Sequence, residues 1–303
     1  MFNKLIAAIL PHMPKKLIWI FSKRYIAGVT LEDGLKASME LNQNKMVVTI
    51  DLLGEFITTL EQAEENRNKY FEIIEKFTKK RIRGNFSIKP TMFGLLINRE
   101  VCFSFIREIV EKAAVNNSFV KIDMEDSQCV DDTINIFRSL RTRFPANVGL
   151  VVQAYMRRTL DDLKSLADLN STKHPINIRL CKGIYVEPEK IAFKKSEEIR
   201  ENFLIDLEYM FQNKMYVGIA THDKYLVEES YKLIEKYEVP KELYEFQMLF
   251  GVTPDLRQSI VNKNHLMRVY VPFGKDWFGY STRRLKENPK MASHIIKALF
   301  VRG

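Results

Sequence analysis

The sequence predicts an α/β fold of the (β/α)8 TIM-barrel type with additional helices at its N-terminal end. Short β-branched, apolar runs recur eight times, and each is followed by a turn and a longer amphipathic stretch. Strand alternating with helix implies parallel pairing through right-handed crossovers. Eight such units in about 260 residues match a barrel in number and length. The other fold built from this alternation, an open doubly wound sheet, carries a glycine-rich phosphate motif after its first strand. No GxG occurs among the twelve glycines.

Residues 1–45 read as a helical segment packed on the barrel, with two helices ending near Gly28 and Gly34. Residues 46–303 form the barrel. The strand-like runs are Met46 to Ile50, Phe86 to Lys89, Phe119 to Asp123, Val148 to Ala154, Ile176 to Leu180, Tyr216 to Ala220, Tyr244 to Leu249 and Met267 to Val271. Helical stretches rich in i,i+4 Glu and Lys lie between them, notably Ile57 to Arg81, Glu100 to Asn116 and Glu189 to Asn213. Pro289 stops the helix that follows the last strand, because the residue before a proline is pushed out of the α region. A final helix runs from Lys290 to Arg302.

Hydrophobic residues at 46% and charged residues at 28% describe a globular chain, and no Pro/Ser/Gly-rich linker divides it. Cys102, Cys129 and Cys181 are odd in number, widely spaced and free of any CxxC, which fits a reducing compartment. The five histidines are scattered without HExxH spacing, so no metal is expected. The net charge of +9 suits an acidic partner. Lys and Arg are interleaved with Asp and Glu throughout, which argues against nucleic acid. Leu17 to Phe21 is too short to span a bilayer, and no cleavage site for a signal peptide follows it. With Trp19, Phe21 and flanking lysines, that segment fits either a membrane surface or the side of the domain. The last helix, with Met291, Ile295 and Leu299 on one face, leaves the same choice open.

Chemistry on a barrel sits at the C-terminal ends of its strands. Those ends read Asp51, Lys89, Asp123 with Glu125, Gln153 with Tyr155, Arg179 with Lys182, Thr221-His222-Asp223, Gln247 and Tyr270. The helix after the eighth strand places Tyr280, Arg283, Arg284 and Glu287 at i, i+3, i+4 and i+7, along one face. Alone, this stripe is a solvated charged face or an anion clamp. Behind a mouth lined by Lys89, Arg179 and Lys182 it reads as the clamp, and the ligand should carry negative charge. Lys89 alone also fits a Schiff-base lysine, and His222 alone fits a structural hydrogen bonder. The residues themselves define a cation-lined barrel enzyme acting on an anion.

Seven motifs then carry a resemblance: SIKPT (Ser87–Thr91), KIDMED (Lys121–Asp126), GLVVQAY (Gly149–Tyr155), IRLCKGIY (Ile178–Tyr185), IATHD (Ile219–Asp223), FQMLFG (Phe246–Gly251) and YVPFGKDWFGYSTRRLKEN (Tyr270–Asn288). In this order, from about Val47 to Asn288, they resemble proline dehydrogenase in its monofunctional bacterial form. The resemblance implies a distorted barrel that binds FAD without a Rossmann domain and oxidises L-proline to Δ1-pyrroline-5-carboxylate. It implies electron transfer to a quinone, contact with a pyrroline-5-carboxylate dehydrogenase, and a cytoplasmic protein, peripheral on the inner face of the cell membrane if its helices dock there. Carried over by motif, Arg283, Arg284 and Lys89 bind the carboxylate. Tyr280 and Tyr270 shape the pocket, and Leu180 and Leu249 form apolar walls. Asp123 and Arg179 are the catalytic pair, with Arg179 beside the flavin. Met124, Gln153, Lys182, Gly183, Ile184, Tyr185, Thr221, His222 and Gln247 hold FAD. Three positions depart from the family pattern: Ile184 replaces Ala, Asp223 replaces Asn, and Cys181 replaces Val. The competing reading from another reaction class is a barrel lyase or aldolase using Lys89 as a Schiff base. A third is a basic binding module without turnover.

Overall fold

A computed structural model describes residues 18–19 and 22–281. The chain enters its regular part through Thr30, whose side chain accepts from Asp33 N while the Asp33 carboxylate accepts from Thr30 N; this capping box starts helix α1 (Leu31–Gln43). Strand and helix then alternate: β1 (Val47–Leu52), α2 (Leu60–Lys79), β2 (Gly84–Ile88), α3 (Arg99–Val115), β3 (Val120–Ile122), α4 (Val130–Arg143), β4 (Val148–Gln153) and α5 (Thr159–Ser165). The second half continues with β5 (Asn177–Cys181), α6 (Ser196–Gln212), β6 (Tyr216–Ala220), α7 (Lys224–Lys236), β7 (Tyr244–Leu249), α8 (Pro254–Asn262) and β8 (Met267–Phe273). Caps mark the helix starts: Thr59 with Gln62 opens α2, Asn98 opens α3 and Asp223 opens α7.

All eight strands pair in parallel and in chain order, and β8 closes onto β1 with Val47 opposite Arg268 and Leu52 opposite Phe273. The barrel predicted from the strand and helix periods is therefore the fold. Residues on a strand alternate between its two sides. One side carries Val48, Ile50, Phe86, Ile88, Val120, Ile122, Ile178, Leu180, Val217, Ile219, Val269 and Val271, all buried in the apolar layer shared with the helices. There Phe77 of α2 meets Phe86 edge-on at 5.0 Å. The other side fills the barrel with polar groups: Thr49 bonded to Asn85, Lys121 to Asn177, and Glu245 to Arg268 at 2.6 Å. Barrel interiors are usually layered with branched apolar residues. Here the usual oil gives way to bonded polar pairs, one of them the Glu245–Arg268 ion pair, which ties the interior to the polar mouth above it.

Two expectations for the helices change. A helix was expected to end near Gly34, yet α1 runs straight through it. A Cβ at Gly34 would sit 3.0 Å from the Phe273 ring, so glycine serves close packing on β8 rather than a stop. The helix expected from Glu189 begins only at Ser196. Residues before it are drawn into a short antiparallel bridge, with Arg157 N donating to Ile191 O at 3.0 Å and Phe193 N to Tyr155 O at 2.7 Å.

Candidate active site

A cavity of about 1000 Å³ opens at the C-terminal ends of the strands. Its centre is Asp123, just past β3, which accepts from Ser87 Oγ at 2.5 Å, Tyr270 OH at 2.7 Å and Arg179 Nη1 at 2.8 Å. Lys89 Nζ stands 3.5 Å from the same carboxylate and donates to Asp51 at 2.7 Å. Burial alone would raise Asp123, but Lys89 and Arg179 hold it below the ordinary carboxylate range. For Lys89, burial favours the neutral amine, but the carboxylates of Asp51 and Asp123 outweigh it and keep the ammonium charged. Tyr270 keeps its proton because of burial and the adjacent Asp123. The centre is thus an ionised acid held between two cations and a phenol donor.

Arg179 is fixed on two sides: Nη1 meets Asp123, and Nε donates to Gln247 Oε1 at 2.6 Å. Its Nη2 is buried and has no hydrogen-bond partner among the described residues. A buried guanidinium nitrogen is costly to leave without an acceptor, so this atom fits a ligand that brings one. Gln247 in turn donates to Glu245 at 2.7 Å, which fixes the orientation of its amide.

The loop after β5 forms one wall. Gly183 has φ +100°, and a Cβ there would lie 2.1 Å from the Tyr155 ring. Glu187 anchors the loop by accepting from Ser127 N at 2.6 Å and Ser127 Oγ at 2.8 Å. Lys182, Gly183, Ile184 and Tyr185 all line the cavity, as do Met124, Gln153, Thr221, His222, Gln247, Leu249 and Tyr280. Leu249 N donates to His222 Nε2 at 2.9 Å, which puts the ring proton of a neutral His222 on Nδ1. Gln153 donates to Glu125 O at 2.9 Å.

Leu180 is the predicted wall residue found elsewhere. It is fully buried in the apolar layer between barrel and helices, because its neighbours Arg179 and Cys181 take the inward side. Cys181 lines the cavity instead. Arg283, Arg284 and Glu287 lie outside the described residues. Among the described residues the cavity carries Lys89, Arg179, Lys182 and Arg200 against Glu55, Asp123 and Asp223, with Asp51 beneath Lys89. Two of the cations in the expected surplus, Arg283 and Arg284, and its Glu287 lie outside this set, in which four lining cations meet three lining carboxylates. Glu55 and Arg200 on the cavity wall, and Ser87 bonded to Asp123 beside it, were not expected at the site. Ser87 shares the strand face of Lys89, a signal available from alternation alone. Glu55 lies beyond the end of β1, where strand parity no longer applies.

Closed parallel strands, a catalytic-type mouth and a buried acid between cations define a (β/α)8-barrel enzyme. The sequence profile of the proline dehydrogenase family matches residues 34–297, and the chain belongs to that family. It is 32% identical over 280 residues to proline dehydrogenase 1 of Bacillus subtilis (strain 168), covering 92% of this chain and 90% of that protein. It is 30% identical over 291 residues to the proline dehydrogenase of Deinococcus radiodurans, covering 95% and 92%. Its fold is similar to that of proline utilization A from Bdellovibrio bacteriovorus inactivated by N-propargylglycine. That similarity has a TM-score of 0.86 at 24% identity, covering 95% of this chain and 37% of that one.

Proposed function

We propose that this chain oxidises L-proline to Δ1-pyrroline-5-carboxylate with FAD held in the cavity. The observation that carries the reading is the buried set of Lys89, Asp123, Arg179 and Tyr270, with one nitrogen of Arg179 awaiting an acceptor. Family membership supplies the substrate. When bound, FAD provides the hydride acceptor that no side chain here can provide.

The chain's own residues do the rest. Lys89, kept charged by its carboxylate partners, meets the substrate carboxylate, joined by Arg283 and Arg284 as the resemblance implies. Hydride departs from C5 only when the ring nitrogen has a free lone pair. Cations nearby disfavour the protonated amine and so favour that state. The amine then loses one proton and C5 one hydride, which leaves a C5=N double bond. Asp123 holds Arg179 and Tyr270 in place, so the field at the reacting atoms is set before substrate arrives. Lys182, the Gly183–Tyr185 loop, Thr221, His222, Gln153, Met124 and Gln247 line the wall assigned to the cofactor. Electrons pass to a quinone-type acceptor and the product to a pyrroline-5-carboxylate dehydrogenase. Both steps are supported by family membership alone. Among the described residues no helix is long and apolar enough to cross a membrane.

The lyase alternative needs a neutral Lys89 as nucleophile. Its carboxylate partners Asp51 and Asp123 work against that state. The deciding experiment is the visible spectrum of the purified protein. A yellow protein bleached by L-proline without air supports the oxidase. A colourless one that borohydride traps with a carbonyl substrate overturns it.

A further inference from the structure

Three elements meet at the lip of the cavity through one carboxylate. Asp223 lies at the start of α7, at the position where the family resemblance expects asparagine. It accepts from Lys182 of the β5 loop, and from Arg200 of α6 through Nε at 2.7 Å and Nη2 at 3.2 Å. The same side chain accepts from Tyr225 N at 3.1 Å and so caps α7. The Arg200 guanidinium is further held over the Tyr225 ring at 5.3 Å. Lys182, Arg200 and Asp223 all line the cavity. Burial pushes the Asp223 carboxyl up, but hydrogen bonds from Arg200 and Lys182 bring it down to about 2, so it is ionised at any working pH.

The charge count decides what this cluster can do. Lys182 and Arg200 contribute two positive charges and Asp223 cancels one, leaving a net single positive charge at the lip. A dinucleotide pyrophosphate carries two negative charges. An asparagine at 223 would keep one acceptor oxygen, enough for the two cations or for the α7 cap but not for both, and would leave both positive charges uncancelled. Resting on the flavin reading above, we propose that Asp223 sets how tightly the cofactor is held: it gathers Lys182 and Arg200 into one grip for the pyrophosphate while cancelling half its charge. Arg200 is thereby a cofactor-gripping residue, and Asp223 a positioning residue that weakens the grip it organises. The chain should exchange its cofactor more readily than a relative with asparagine at this position.

The test is release of FAD from the holoenzyme, followed as flavin fluorescence recovered on dilution, at low and at high salt. Asp223→Asn is expected to slow release about tenfold at low salt, the effect of one unit charge a few ångströms away in a half-screened setting. The difference should shrink as salt rises, because screening acts on exposed charge. A merely structural role for Asp223 would not produce that salt dependence. Arg200→Gln is expected to speed release at low salt. Release equal to or faster than wild type in Asp223→Asn at every salt concentration overturns the inference, as does unchanged release in Arg200→Gln. Wild-type protein that neither retains nor takes up FAD overturns the flavin reading, and this inference with it.

Discussion

Replacing Lys89 with methionine keeps the length of the side chain and removes its charge. Lys89 Nζ lies 2.7 Å from Asp51 Oδ1, 3.2 Å from Tyr270 OH and 3.5 Å from Asp123 Oδ2, so three groups lose a partner. Asp51 is 1% exposed and cannot turn to water. Breaking a buried pair from one side costs about 3–5 kcal/mol. Burial already pushes Asp51 up to about 6 against the pull of Lys89, so the variant should meet this cost by taking up a proton. An acid raised in the folded state favours folding below its ordinary value of 3.8, and that advantage is lost as pH rises through the raised value. The variant should therefore be most damaged at neutral and alkaline pH, and least in mild acid. For the substrate, one charge-assisted hydrogen bond is worth about 1.5–3 kcal/mol. At about 1.4 kcal/mol per factor of ten, KM for L-proline should rise roughly 10- to 150-fold. Steady-state kinetics with a dye acceptor measures the second effect and urea unfolding the first. The double variant Lys89→Met/Asp51→Asn separates them: stability should recover while KM stays high. An unchanged KM in Lys89→Met would remove this lysine from carboxylate binding. Unchanged stability at neutral pH would show that Asp51 is solvated in a way its burial denies.

Gly183→Ala should reduce the flavin content of purified protein several-fold, because its Cβ would lie 2.1 Å from the Tyr155 ring at φ +100°; full flavin content in this variant would show that the loop does not touch the cofactor. Burial pushes Asp206 up to about 8, and ionising it within the fold is unfavourable. Wild-type stability relative to Asp206→Asn should then fall as pH rises from 3.8 towards about 8, at about 1.4 kcal/mol per pH unit. Chemical denaturation at the two ends of that window checks it, and parallel stabilities would refute it. Glu245→Gln leaves Arg268 buried with a neutral partner and leaves one acceptor oxygen for Arg268 and the Gln247 amide to share, which weakens the hold on that amide. A loss of about 3 kcal/mol is expected, together with slower turnover through a loosened Arg179; a kcat equal to wild type would disconnect the barrel interior from the site.

Period and parity made most of this legible. The strands from Tyr216 to Ala220 and from Tyr244 to Leu249 match their apolar runs residue for residue, and the others shift by one or two at one or both ends. Strand ends named most of the cavity, because a parallel barrel brings all eight to one mouth. Parity, had it been applied to β5, would also have excluded Leu180: Arg179 and Cys181 both take the inward side, so the residue between them cannot. The long turn from Gly183 to Lys195 escaped, since its Glu and Lys residues carry a helical period while its backbone bonds to Tyr155 and Arg157. The pairing of the charges escaped as well. Which cations remain available depends on through-space partners such as Asp223 with Lys182 and Arg200, and spacing along the chain does not encode them.

The helix that covers the outside of β8 and β1 is α1, from the opposite end of the chain, with Gly34 against Phe273 and Ile50. During synthesis β1 is complete at Leu52 but its β8 partner begins at Met267. At about 5–20 residues per second, the ribosome needs roughly 10–40 s to bridge that interval. Throughout it, β1 presents an unpaired edge and α1 an apolar face carrying Leu35 and Leu41. Closure therefore comes late and joins an early-made segment to a late-made one in one step. A chain truncated before β8 would yield an aggregation-prone nascent sheet rather than most of an enzyme.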